Sequence, residues 1–188
     1  VENIQVDSPN DGVTLKLNTY SANSIYDPNW ALGGHQPYGH DQFQLLYHHY
    51  EVTGATIKCT FTNGNTDRDG KGSAILGIRM GEGVGVFSST DEITMLESPD
   101  VVYGVMAPGT GKLVLSNTFN QKAMFPAKHD GLTAAFGADP EEQAYFTIAV
   151  GSGQGGLIVP VDILVEIEYT CRFFEPKTLT QALPPECP

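Results

Sequence analysis

Val161-Asp-Ile-Leu-Val-Glu-Ile-Glu-Tyr-Thr-Cys-Arg-Phe173 decides the fold class. Its odd positions are Val161, Ile163, Val165, Ile167, Tyr169, Cys171 and Phe173. Its even positions include Asp162, Glu166, Glu168, Thr170 and Arg172. Side chains of a strand point alternately to opposite faces, so this is a long strand with one buried and one wet face. Working outward, Val13, Leu15 and Leu17 alternate with Thr14, Lys16 and Asn18 in the same way. Ile57, Cys59 and Phe61 share one phase and Val52 the other. Gly54 lies between them and predicts a β-bulge that resets the register. Further strands are expected over 74–80, 101–106, 112–119 and 144–150, with a short one near 84–87. Gly- and Pro-rich turns separate about eight strands in all. That pattern predicts an all-β sandwich, barrel or jelly roll.

Helical spacing occurs twice. Phe43, Leu46, Tyr47 and Tyr50 fall at i, i+3, i+4 and i+7, which predicts a short helix over 41–49 capped by Asp41. Ser89-Thr90-Asp91-Glu92 reads as a capping box before Ile93 and Leu96, with Pro99 as the stop. Both are insertions between strands rather than a helical layer. Residues 177–188 carry three prolines and no period, and read as an irregular tail behind a single domain over 1–176.

The 188 residues carry 10 Lys and Arg against 22 Asp and Glu, a net charge of −12. Such a surface repels a phosphate backbone, and its bases form no run. No apolar run approaches the ~18 residues of a membrane span, so no membrane insertion is expected. Three cysteines, Cys59, Cys171 and Cys187, have no C-x-x-C spacing, which argues against a disulfide framework and a zinc site. Cys59 and Cys171 sit in apolar strand patterns and read as buried free thiols. With no signal peptide and no glycosylation acceptor, a reducing compartment is expected.

No chemistry assembles from the motifs. Gly151-Ser-Gly-Gln-Gly-Gly156 matches a dinucleotide fingerprint in letters, but strand rather than helix follows it. There is no G-x-S-x-G elbow and no H-x-H pair. Adjacent His48 and His49 would diverge by ~100° on a helix and so not share a metal. Asn65, Asp67 and Asp69 make the first half of a calcium loop, but its twelfth position is Leu76. Asp139, Glu141 and Glu142 could hold a cation; both acidic stretches read better as solvated turns. No cofactor is called for, and no enzyme activity is expected.

The segment Asn23-Ser-Ile-Tyr26-Asp27-Pro28-Asn-Trp30-Ala-Leu-Gly33-Gly34-His35-Gln36-Pro37-Tyr38-Gly39-His40-Asp41-Gln42 is odd for a linker. It holds the only Trp, with two Tyr and many turn formers, and such a loop packs on its own domain or against a neighbour. With Tyr47, Tyr50, Val52, Gly54, Ile57 and Phe61 behind it, this stretch resembles the capsid-protein signature of circular Rep-encoding single-stranded DNA viruses, the circovirus-like group. Further pieces follow in order: Glu97-Ser-Pro99 to Tyr103, Pro108-Gly109-Thr110, Leu113 to Asn117 with Phe119 and Lys122, Asp139-Pro140 through Ile148, and Ile167 to Glu175. The resemblance covers roughly 13–176.

It implies a jelly-roll β-sandwich of two four-stranded antiparallel sheets. It implies a coat protein that self-assembles with copies of itself into an icosahedral shell, of the smallest kind for so small a subunit, around a single-stranded DNA genome. The expected locations are the virion and, during assembly, the host nucleus or cytoplasm, with a host receptor the sequence does not name. Tyr26, Asp27, Pro28, Trp30, His35, Gln36, Pro37, Tyr38, Asp41 and Gln42 are the expected interface residues, with the loop buried around Tyr26, Trp30 and Tyr38. Family members usually begin with an arginine- and lysine-rich arm that holds the DNA; residues 1–188 contain none. Two other classes stay open: a jelly-roll carbohydrate-binding module using Trp30 and Tyr38, and a β-sandwich enzyme built on His35, His40 and Asp41.

Overall fold

The computed structural model describes residues 1–9, 14–30, 33, 36–63, 72–82, 92–109, 111–127, 130–153 and 158–179. The alternating stretch is strand β9, Pro160–Pro176, with Val161, Ile163 and Val165 buried and Leu164, Glu168 and Arg172 outside. It pairs antiparallel on both sides, with β1 (Glu2–Asp7) and with β3 (Tyr47–Asn63). β6 (Leu113–Asn120) completes the sheet in the order β1-β9-β3-β6, and short β7 (Thr133–Ala135) pairs with the start of β3. The second sheet runs β2-β8-β4-β5, from β2 (Leu15–Ser21), β8 (Ala144–Ser152), β4 (Ala74–Glu82) and β5 (Val101–Met106).

Every pairing is antiparallel, and the chain passes from sheet to sheet as it winds inward and out again. This is the jelly-roll wind, two Greek keys closed into a sandwich. The expected fold class therefore holds, with β1 and β7 added. Expected strand positions at 84–87 lie outside the described residues. Three short helices are present among the described residues rather than one or two: α1 (His40–Leu46), α2 (Glu92–Glu97) and α3 (Gln121–Met124).

Between the sheets lie Tyr50, Ile57, Phe61, Phe119, Phe146, Ile148 and Ile163, all essentially inaccessible to solvent. Each such side chain contributes on the order of 1.5–3 kcal/mol by leaving water. The bulge expected at Gly54 is present. The β3–β9 register shifts between Val52 and Gly54, so Val52 and Ala55 both turn inward.

Leu15 and Leu17 do not face that interior, although their alternation predicted a strand. They sit on the outside of the second sheet, where Leu15, Ala149 and Met95 of α2 form a small second core. Gly77 lets α2 settle there. A Cβ on it would lie 2.8 Å from Met95 Sδ and 3.3 Å from Val101 Cγ1. β8 is consequently buried along both faces.

The helix expected over 41–49 stops at Leu46. Tyr47 and His49 pair instead with Pro176 and Phe174 of β9, and sheet pairing overrides the local helical spacing. Asp41 is not its cap. Gly39, at φ +88°, starts the helix without a side-chain cap bond.

Candidate functional site

Between β2 and α1 the chain crosses one end of the sandwich, and buried polar groups rather than aromatics hold it there. Asn23 Oδ1 accepts the Ala144 N–H at 2.9 Å and its Nδ2 donates to the Glu142 carbonyl at 2.7 Å. Ser24 Oγ meets the Tyr50 hydroxyl at 2.8 Å. Asn29 Nδ2 donates to both Glu2 carboxylate oxygens, at 3.0 and 2.9 Å, and Tyr20 donates its hydroxyl to the same carboxylate at 2.9 Å. Asn23, Ser24 and Asn29 are buried, and buried polar groups need such partners. Asn23→Ala should therefore lower stability by roughly 1–3 kcal/mol, because the buried Ala144 N–H loses its acceptor. A urea-melt midpoint equal to that of the parent would refute this.

The expected burial around Tyr26, Trp30 and Tyr38 is not found within one chain. Their exposures are 38%, 48% and 108%. Trp30 only touches Tyr145 edge-on, with ring centroids 6.0 Å apart. Asp27 and Pro28 are half-buried, and the Pro28 carbonyl accepts the Ser21 N–H at 2.8 Å. Gln36, Pro37, Tyr38, Asp41 and Gln42 line one groove of about 360 Å3, in which Trp30 takes no part. His35 lies outside the described residues. The structure thus gathers half of the expected set in one place and sets Trp30 apart.

His40 is buried, with Nδ1 3.3 Å from Asp41 Oδ1 and its ring edge-on to Phe136 at 5.3 Å. Phe136 in turn stacks on Phe173 at 5.7 Å, and Phe173 on Phe43 at 4.5 Å. This ladder seats α1 on the sandwich. Lys177 closes its far end, donating Nζ to the Gln44 carbonyl and its N–H to the Leu46 carbonyl, at 2.7 and 2.8 Å.

Sequence reasoning missed three exposed apolar side chains here: Phe43, Leu45 and Leu46. The Leu45-Leu46 doublet was the available signal, since adjacent residues on a helix diverge and one must face outward. With Tyr26, Trp30 and Tyr38 they put six exposed large apolar side chains into the segment 26–46. That segment holds no Lys or Arg, since none occurs between Lys16 and Lys58.

The remaining expectations bear on chemistry. Asn65, Asp67 and Asp69 lie outside the described residues. Asp139, Glu141 and Glu142 sit exposed in a turn before β8. No group of three metal-ligating side chains occurs among the described residues. Cys59 is fully buried and Cys171 half-buried, both free, and burial pushes their thiols up to about 12 and about 11. No helix among the described residues is long and apolar enough to cross a membrane.

No family model and no curated relative matches the sequence. Among the solved structures to which the chain is similar are chains from virus particles. A chain from the cryo-EM structure of Broad Bean Stain Virus is 7% identical with a TM-score of 0.47, covering 97% of this chain and 93% of that one. A chain from naturally occurring empty particles of cowpea mosaic virus is 9% identical with a TM-score of 0.44, covering 97% and 91%. One from turnip yellow mosaic virus is 7% identical with a TM-score of 0.40, covering 95% and 82%. The strand order, not these scores, defines the fold.

Proposed function

We propose that this chain is the coat subunit of a closed icosahedral shell, of the smallest kind, enclosing a single-stranded DNA genome. The observation that carries the reading is the end of the sandwich just described. A backbone clamped by Asn23, Ser24 and Asn29 holds Tyr26 and Trp30 out toward solvent, and Tyr38 stands exposed just before α1. Exposed aromatics on an anchored backbone serve as interface anchors, and burying them takes a partner. The ordered capsid-like motifs over 13–176 run through the same segment. The domain boundary at 176 and the irregular tail belong to this proposal, as do the virion location and a host receptor.

A carbohydrate platform would want Trp30 and Tyr38 on one groove, and among the described residues the groove at Tyr38 does not include Trp30. An enzyme on His40 and Asp41 would want an accessible imidazole, and His40 is buried.

Negative-stain microscopy of the purified chain tests the reading directly. Uniform small spheres are expected, and a chain that stays monomeric at high concentration and moderate salt would refute it. Trp30→Ala should impair assembly far more than Lys112→Ala, since a central aromatic anchor is worth about 2 kcal/mol or more on truncation. Equal assembly by the two variants would remove Trp30 from the interface.

The DNA contact is assigned to a basic N-terminal arm outside residues 1–188. With 10 bases against 22 acids, these residues have little to gain from counterion release. A gel-shift titration of the 188-residue chain should show weak binding of single-stranded DNA near physiological salt. Tight binding would place the DNA contact in the jelly roll itself.

A further inference from the structure

The outside of the first sheet carries a groove of about 650 Å3. Across its floor Arg172 of β9 stands opposite Glu51 of β3, and Glu51 opposite Thr133 of β7. Lys122 of α3, with Phe125 and Pro126 in the turn after it, forms a wall. Phe174 lines it too and is partly exposed, because its neighbour Phe173 already faces the core stack. Glu51 is engaged, accepting the Gln121 amide at 2.6 Å. Neither Lys122 nor Arg172 forms an ion pair among the described residues.

We propose that this groove receives Trp30 of a second copy of the chain, an inference that rests on the coat-subunit reading and names its contact. Three observations converge. The first is chemical: Lys122 and Arg172 supply cations for an aromatic face, and Trp is the ring that attracts them best. Asp130, also in the lining, supplies an acceptor for the indole N–H, which needs one once buried. Phe125, Pro126 and Phe174 supply the apolar flank. The second is electrostatic: Lys122 and Arg172 balance Glu51 and Asp130 in the lining, so the groove does not share the net negative charge of the chain and accepts a segment that carries Asp27 and Asp41 and no Lys or Arg.

The third is geometric. Trp30 lies against Tyr145, whose neighbours Ala144 and Phe146 face the core, so Trp30 is on the outside of the second sheet. The groove is on the outside of the first. Donor and acceptor therefore occupy opposite faces of one sandwich. When one copy's Trp30 enters a neighbour's groove, the neighbour's own Trp30 stays free for a third copy. Such a head-to-tail contact is heterologous, and it either closes into rings or runs on as an open chain.

The test uses two variants of the 188-residue chain, Trp30→Ala and the double variant Lys122→Glu/Arg172→Glu. Each alone should sediment as a monomer where the parent assembles, with thermal melts confirming that both are folded. Mixed in equal amounts they should form a dimer and stop there, because the first keeps an intact groove and the second an intact Trp30. That dimer should be at least about tenfold tighter than self-association of either variant. A folded pair that stays monomeric when mixed overturns the contact. If the parent closes into particles and both variants do so too, the contact fails while the shell reading stands. If the parent makes only open chains that both variants abolish, the contact stands and the closed shell fails.

Discussion

Replacing Tyr50 with alanine should cost about 3–5 kcal/mol, the range for emptying a buried aromatic site. Total stabilities run to only about 5–15 kcal/mol, so much of the variant should be unfolded in mild urea. Tyr50 is completely buried and does several jobs at once. Its ring packs on Phe136 at 5.6 Å, inside the ladder that seats α1. Its hydroxyl donates to the Ala138 carbonyl at 2.9 Å and meets Ser24 Oγ at 2.8 Å, tying the exposed loop to the sandwich. Its backbone stands opposite Phe173 on one side and Ala134 on the other. Tyr50→Phe keeps the ring and orphans only polar groups, so it should cost roughly 1–3 kcal/mol. Urea melts of the two variants separate packing from hydrogen bonding. Equal losses would mean that the ring contributes little.

Raising the pH above about 9 should destabilise the chain steeply. Burial pushes the Tyr50 phenol and the Cys59 thiol each up to about 12 and the Cys171 thiol up to about 11. Burial, with the Glu2 carboxylate beside it, also raises Tyr20, and burial raises Tyr169. In the unfolded chain thiols lose their protons near about 8.5 and phenols near about 10. Below those values both states are protonated and stability is flat. Above them the unfolded chain sheds protons that the native state retains, so stability falls with pH. The fall continues until the native groups ionise in turn, about pH 12 for Tyr50 and Cys59. Thermal melts should show a constant midpoint from pH 7 to about 8.5 and a progressive drop through pH 11. An equal midpoint at pH 8 and pH 11 would mean that these groups reach water in the folded chain.

Strands were legible wherever one face is wet and one dry, as in β9 and the second half of β3. β1 escaped because Ile4 and Val6 are its only large apolar residues within six positions, and its place depends on pairing with β9 far along the chain. Leu15 and Leu17 showed a strand but not which layer they face, since α2 creates a second apolar surface no local pattern announces. Tyr47 and Tyr50 kept helical spacing with Phe43 by coincidence, and long-range pairing took them into β3. For the site, composition singled out the loop because aromatics crowd among turn formers. It did not reveal that Asn23 and Asn29 anchor it, since an asparagine in a turn and one buried under a strand look alike in sequence. The groove on the first sheet was harder still. Lys122 and Arg172 are 50 positions apart and become neighbours only through the β3–β9 register and the placement of α3.

Strand β9 has a consequence for the order in which the chain becomes competent to associate. Residues 160–176 lie at the centre of the first sheet, pairing with residues 2–7 and 47–63. A ribosome makes them after both of these partners. Until they emerge, β1 has no neighbour, β3 has one open edge, and the sheet cannot be completed. Arg172 and Phe174 reside on this strand, so the groove does not exist until β9 has been made and paired. Trp30 is translated well before β9 and finds no receptor on neighbours that still lack this strand. The topology itself is a timing device, reserving association for chains in which β9 has closed the first sheet.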